Sequence, residues 1–366
     1  MRKNQVKHPK RLNALIQKFE LLAKDLGFDR LAICDASVRF DKETYVDWIE
    51  KKFNGSMKYL EKNIEMRLAP RQIRPSTRSI ICVTANYLTK PLSELISKIQ
   101  DDRKGYISAY ATGRDYHKII RKQLVKLSKK LEEEIEPSGY RVFTDSAPIF
   151  EKPLARYAGL GWIGKNTLLI NKEVGSFFFL GEIFTDLKLP TETNDLVDLC
   201  GTCTNCMDVC PTKAIVAPYK LDSRKCISYL TIESKDRIPI ELREKIGNRI
   251  FGCDDCQIFC PWNKYAKIKG KNIFSPANDL DNQTLGDLFL ISEVDFKVIT
   301  AGTALKRINY DQWIRNLAVA IGNSEPDINL LNVLKAKLDY PNQSVREHIE
   351  WAIKKQYDKI KVEEIG

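Results

Sequence analysis

The chain has 366 residues, 43% of them hydrophobic and 29% charged, with ten cysteines, three histidines and a formal charge of +11. That length allows two or three domains with separate cores, and the composition excludes a disordered or fibrous protein. No apolar run reaches the roughly 18 residues a transmembrane helix needs, so no membrane partner is expected. The first stretch is basic and then amphipathic, without the apolar core and cleavage site of a secretory signal. The expected location is therefore cytoplasmic, where grouped cysteines bind metal rather than form disulfides. The positive charge is uneven: residues 1–80 carry 18 Lys/Arg against 10 Asp/Glu, residues 81–136 carry 11 against 8, and the rest balances. A basic N-terminal half suits a nucleic-acid face or a plain solvated surface.

Residues 12–26 place Leu12, Leu15, Ile16, Phe19, Leu22, Ala23 and Leu26 at helical spacing, with Gly27 as a stop. Runs 31–34 and 79–83 are strand-like. Residues 115–135 read as a helix, 140–144 as a strand, 149–158 as a helix, and 167–171 and 177–180 as strands. The composition turns polar at 189–194, which marks a boundary. A cysteine-rich segment runs to Pro261, and after the basic stretch 264–271 the remainder is mainly helical. Segments 313–321 and 345–353 resemble each other across about thirty residues, compatible with a short helical repeat. The fold class expected is α+β: an N-terminal α/β domain over 1–190, a ferredoxin-like domain over 191–265, and a helical-repeat, HEAT-like region over 272–366.

Cys200, Cys203, Cys206 and Cys210, followed by Pro211, form C-x2-C-x2-C-x3-C-P, the run that binds 4Fe–4S clusters in bacterial ferredoxins. In such a run three thiolates cap one cluster, and the fourth, entering a helix, reaches the other. Pro211 suits the first turn of that helix. Cys253, Cys256 and Cys260 repeat the pattern with one cysteine missing, and Cys226 can supply the missing corner. The expected sets are Cys200, Cys203, Cys206 and Cys260 for one cluster, and Cys210, Cys226, Cys253 and Cys256 for the other. Two zinc sites would use the same count, but the punctuation of the run favours iron–sulfur cubanes. Cys34 and Cys82 stand singly in apolar runs and read as core thiols.

Gly159, Gly161 and Gly164 match G-x-G-x-x-G, but helix-like residues precede and strand-like ones follow, the reverse of a dinucleotide site. A tight turn, or backbone lying close to a ligand, remains. Asp145 follows a strand and precedes a helix, which on its own reads as an N-cap. His8, His117 and His348 are the only histidines, so a carboxylate is the more natural acid.

Four segments, Tyr110 to His117, Asp145 to Pro153, Ala158 to Asn166 and Gly175 to Glu182, together with Cys226 to Glu233, Gly252 to Gln257 and 315–323, resemble the epoxyqueuosine reductases over nearly the whole chain. The resemblance implies a cobalamin-binding N-terminal domain and two 4Fe–4S clusters that pass electrons to the cobalt. It implies Asp145 as proton donor for epoxide reduction, and Arg67, Tyr110, Asp145, Lys165, Asn166, Leu180, Ser228 and Asp254 around the corrin. The implied partners are a tRNA anticodon stem-loop and an external electron donor of flavodoxin or ferredoxin type, with the chain a monomer. Asp115 and His117 begin a D-x-H-x-x-G motif, but Ile120 stands where its glycine belongs, so no protein histidine on cobalt is expected. A reductive dehalogenase-like enzyme or a two-cluster electron carrier would use the same parts.

Overall fold

The computed structural model describes residues 9–191, 197–270 and 272–365. His8, the centre of the polar boundary at 192–194 and Lys271 lie outside the described residues.

The N-terminal part is built on a four-stranded sheet in the order Arg30–Asp35, Ser79–Asn86, Phe178–Thr185, Tyr140–Phe143, and every neighbouring pair is antiparallel. The alternation of helix and strand therefore does not make a parallel α/β sheet; this part is α+β. Ser79–Asn86 is buried at every position, which its unbroken apolar sequence anticipates. Successive residues of these strands point to opposite faces. Ile81, Val83, Phe179 and Ile183 pack under the helices Pro9–Asp25 and Tyr116–Glu134 through Phe19, Ala23, Ile120 and Leu124. Ile80, Cys82, Phe178 and Phe184 pack on the other face against Leu154 and Ala155 of the helix Glu151–Tyr157. Cys34 and Cys82 are buried there, as core thiols.

Tight packing fixes the helix that matters most. A Cβ at Gly181 would lie 2.9 Å from Ile120 Cγ2 and 3.0 Å from Leu124 Cδ1, so the Tyr116–Glu134 helix sits directly on the Phe178–Thr185 strand. Asp115 caps that helix by accepting the His117 N–H at 3.1 Å. Tyr116 and His117 are thereby presented at its start, beside the end of the Tyr140–Phe143 strand. Asp145, just beyond that strand, caps nothing: the next helix begins at Glu151 with Phe150 before it.

The glycine triad is structural. After the Glu151–Tyr157 helix the chain enters a hairpin of Trp162–Ile163 and Leu169–Ile170, and a Cβ at Gly161 would collide with the Ile170 carbonyl. Helix before and strand after is the order that rules out a dinucleotide site.

The cysteine segment is stitched into this framework. Arg249–Phe251 pairs in parallel with Tyr106–Ile107. The buried Asp254 carboxylate accepts hydrogen bonds from the Tyr106 hydroxyl (2.7 Å), the Ser108 hydroxyl and the Ala109 N–H (2.7 Å). Asn86 Nδ2 donates to the Lys267 carbonyl at 2.6 Å and Lys269 pairs with Asp29 at 2.7 Å, so the basic stretch after the cysteines is anchored to the sheet. One apolar core joins Ile107, Ile250 and Phe251 to Leu285, Leu288, Trp313, Ile314 and Leu317 of the C-terminal helices. Apolar packing thus crosses the expected domain lines at 190 and 272.

The two resembling C-terminal segments fall on the helices Tyr310–Asn323 and Gln343–Ile365, which pack closely; a Cβ at Gly322 would strike the Trp351 ring. Arg315, 2% exposed, donates to the carbonyls of Ser234 (2.9 Å), Asp236 (2.7 Å) and Leu230 (2.6 Å). Asn316 donates to those of Thr231 (2.8 Å) and Ile250 (2.9 Å). Those of Leu230 and Thr231 are open carbonyls at the end of the Ile227–Ile232 helix, which begins at Cys226, and the others lie in the segment after it and on the Arg249–Phe251 strand.

Candidate functional site

The cysteines of the two runs lie near one another. Burial, then the neighbouring thiols of Cys260, Cys200 and Cys203, push Cys206 up to about 11. Cys256 has Cys226 and Cys210 as neighbours, Cys253 is near Cys256, and Cys206 links the two groups through Cys256. Cys203 is exposed and the other seven are half-buried. Donors are aimed at sulfur: Trp162 Nε1 at Cys200 (3.4 Å), the Ala214 N–H at Cys210 (3.3 Å), and backbone N–H groups at Cys226 and Cys260. Such donors suit thiolates that ligate a cluster, whose charge they stabilise. Among the described residues no three His, Cys, Asp or Glu side chains converge on one metal ion. One expectation fails: Cys210 follows a short helix, Asn205–Asp208, and Pro211 lies in a turn rather than opening a helix. At the second site Pro261 does open a short 3-10 helix, Pro261–Tyr265.

Lys165 and Asn166, in the turn of the glycine hairpin between its two strands, hold the cysteine loops. Lys165 Nζ donates to the carbonyls of Gly201 (2.6 Å) and Cys203 (2.9 Å), and Asn166 Nδ2 to that of Cys256 (3.2 Å). Ser228 lies in the first turn after Cys226, and Leu180 is half-buried on the central sheet, its carbonyl accepting from the Thr144 hydroxyl at 2.9 Å. Arg67, 8% exposed, is tied to the carbonyls of Tyr59 (3.1 Å) and Lys62 (3.4 Å). Asp254 has its carboxylate occupied by its three donors, so its side chain serves the framework.

Asp145 sits at φ 53°, a left-handed conformation that Asp tolerates better than most residues. The Tyr116 hydroxyl donates to its Oδ2, and His117 Nε2 lies 3.4 Å from the same oxygen. The other ring nitrogen, His117 Nδ1, is 2.9 Å from Asp115 Oδ1. The Asp145 side chain is 59% exposed, although neighbouring groups crowd it enough to desolvate it in part. Desolvation opposes its charge, but the hydrogen bonds from His117 and Tyr116 prevail and hold the carboxyl below the ordinary range. Desolvation likewise works against a charged His117, and Asp145 and Asp115 overcome it, raising the imidazole above its usual value. Tyr110 lies close by: burial, with Asp145, Asp254 and Glu233 nearby, raises its phenol far above the ordinary value. Arg307, also near Asp145, makes a two-pronged pair with Glu233, at 3.0 and 2.8 Å. A shallow surface depression at Asp101, Arg103 and Glu325 holds none of these groups.

Several of these residues escaped the sequence reading: Tyr116 and His117 as partners of Asp145, and the Glu233–Arg307 pair near it. Buried Glu182 and half-buried Glu151, behind Asp145, were also missed. A carboxylate inside the aromatic run 177–184 was the available signal for Glu182.

Eight cysteines in the ferredoxin pattern, in a chain that also carries an acid–base cluster at Asp145, Tyr116 and His117, define the class as a two-cluster iron–sulfur oxidoreductase. Residues 199–263 match the 4Fe-4S double cluster binding domain family, and residues 67–146 match the family described as Epoxyqueuosine reductase QueG, DUF1730. The chain is 46% identical over 341 residues to the epoxyqueuosine reductase of Pseudomonas aeruginosa, covering 93% of this chain and 94% of that one. It is 43% identical over 352 residues to that of Escherichia coli, covering 96% and 92%. Its fold is similar, with a TM-score of 0.83 and 28% identity over 94% of this chain and 91% of that one, to an epoxyqueuosine reductase crystallised with an epoxyqueuosine-modified tRNA-Tyr stem loop. A Bacillus subtilis enzyme, captured with its catalytic aspartate loop swung out of the active site, gives 0.81 at 29% identity over 94% and 91%. The chain belongs to the epoxyqueuosine reductase family.

Proposed function

We propose that this chain reduces epoxyqueuosine to queuosine at the wobble position of a tRNA anticodon stem-loop, with Asp145 delivering protons. The observation that carries the reading is Asp145 itself, held in a left-handed turn, exposed, with Tyr116 and His117 against one carboxylate oxygen. Removing an epoxide oxygen as water consumes two electrons and two protons, so both a relay and an acid are needed. Asp145 held below its usual range is a poor acid alone. Its partner His117, raised above its usual value, keeps the proton 3.4 Å away, and the pair acts as the donor.

The thiols of Cys200, Cys203, Cys206 and Cys260 take one 4Fe–4S cluster, and those of Cys210, Cys226, Cys253 and Cys256 the other, in keeping with their grouping and the N–H donors aimed at them. Exposed Cys203 makes the first cluster the entry point for an external donor of flavodoxin or ferredoxin type. The exposed Asp145 carboxylate, with Tyr116, His117 and Tyr110 around it, leaves a reactive group open to a bound corrin, as the family membership implies. Arg67, Tyr110, Asp145, Lys165, Asn166, Leu180, Ser228 and Asp254 would hold it, Asp254 through its backbone. Bound cobalamin supplies a cobalt centre that takes electrons from the clusters to the epoxide. His117 has both ring nitrogens committed to carboxylates, which leaves neither for cobalt. The N-terminal basic excess and a HEAT-like C-terminal region cradle the stem-loop, phosphate contacts giving salt-dependent affinity. The chain acts as a cytoplasmic monomer in three parts, 1–190, 191–265 and 272–366.

Anaerobic reconstitution tests this reading. It should give about eight irons per chain, a corrin spectrum on adding cobalamin, and queuosine from an epoxyqueuosine-bearing stem-loop. A colourless zinc protein, or unchanged substrate, contradicts it.

A further inference from the structure

Glu151 and Glu182 stand directly behind the Asp145 turn. Glu182 projects from the central sheet on the face that holds Cys34 and Cys82, is 0% exposed, and accepts no hydrogen bond from any N–H or hydroxyl at either carboxylate oxygen. The group it meets is the Glu151 carboxyl, within hydrogen-bonding reach. Glu151 Oε1 in turn accepts the backbone N–H of Asp145. Two carboxylates in contact, one of them fully buried and the other half-buried, repel strongly when both are ionised, whereas one proton between them turns repulsion into a hydrogen bond.

We propose that Glu151 and Glu182 share one proton, and that this proton keeps Glu151 in place as a strut under the backbone of Asp145. The pair positions the proton donor without touching substrate, and the inference rests on the reading of Asp145 given above. The groups facing the pair are Asp145, Tyr116 and His117 on one side, Lys152 beside Glu151, and Cys34 and Cys82 from two strands. Burial, with the charge of Asp145 next, pushes Glu151 up to about 8; burial, with Glu151 next, takes Glu182 well above the carboxylate range. Above that range of pH the proton leaves, the carboxylates repel, and Asp145 loses its support.

Infrared difference spectra of the cluster-loaded protein in light and heavy water, near neutral pH, test the shared proton. The expected spectrum contains a protonated-carboxyl C=O band that is absent from both Glu151→Gln and Glu182→Gln; no such band in the parent overturns the proposal. Kinetics test the strut. Glu182→Gln supplies a permanent N–H donor, so its activity should persist and its alkaline loss should move to higher pH. An alkaline limb identical to the parent's assigns that loss to His117 and refutes the pair. Glu182→Leu should lower kcat about tenfold with KM nearly unchanged; an unchanged kcat refutes the strut. Asp145→Asn, assayed alongside, separates the two ideas: if it is inactive while the glutamate variants behave as the parent, only the strut fails.

Discussion

Asp145→Asn is the sharpest perturbation of the site. The amide keeps the size of the carboxylate and can still accept from Tyr116, and the side chain is 59% exposed, so folding should be nearly unaffected. Two things change: the oxygen pair no longer carries a transferable proton, and His117 loses the charge that helps raise it. Loss of a positioned general acid costs about 10²–10⁴ in rate, or roughly 2.7–5.5 kcal/mol of barrier at about 1.36 kcal/mol per decade. The assay is single turnover on an epoxyqueuosine-bearing stem-loop with pre-reduced protein, quantifying queuosine after nucleoside digestion. Iron content and stem-loop affinity should match the parent. A rate within about threefold of the parent would mean that water or another group supplies the proton, and the role given to Asp145 would be wrong.

Further outcomes follow from the same geometry. His117 should titrate above the ordinary histidine value of about 6.5, and its ring resonance should shift to lower pH in Asp145→Asn. Because its folded value is raised, the stabilisation from its carboxylate partners is complete below the unfolded value and disappears as pH rises through the folded one. A midpoint unmoved by Asp145→Asn would refute the pairing. His348, in contrast, should stay neutral, since burial drives it down to about 3. Arg315→Met removes the donors from the carbonyls of Ser234, Asp236 and Leu230 and should cost about 3 kcal/mol, seen as an earlier denaturation midpoint with weaker iron retention. An unchanged midpoint would show those carbonyls satisfied another way.

Legibility in the sequence depended on how local the physics was. The C-x2-C-x2-C-x3-C-P run announces its chemistry because neighbouring thiols must share a loop, whatever surrounds it. The Pro9–Asp25 helix and the buried Ser79–Asn86 strand were readable from their apolar periodicity. Strand order was not: the alternation of elements is compatible with a parallel sheet, and only the pairing of Phe178–Thr185 between Ser79–Asn86 and Tyr140–Phe143 decides against it. Asp145 read alone resembled a cap, because its partners Tyr116 and His117 reach it through tertiary packing. Arg315 and Asn316 fell in a recognisable segment, but their work on the Ile227–Ile232 helix is invisible until the helices meet.

The central claim is that this chain passes electrons through two cysteine-held clusters to the epoxide of a tRNA nucleoside. Nucleoside analysis of tRNA from a strain lacking the gene, carrying back either the parent or a Cys206→Ser, Cys256→Ser double variant, tests it most directly. Epoxyqueuosine should accumulate in the deletion and in the double variant, and be replaced by queuosine with the parent. Normal queuosine without the gene, or full rescue by the double variant, would contradict it.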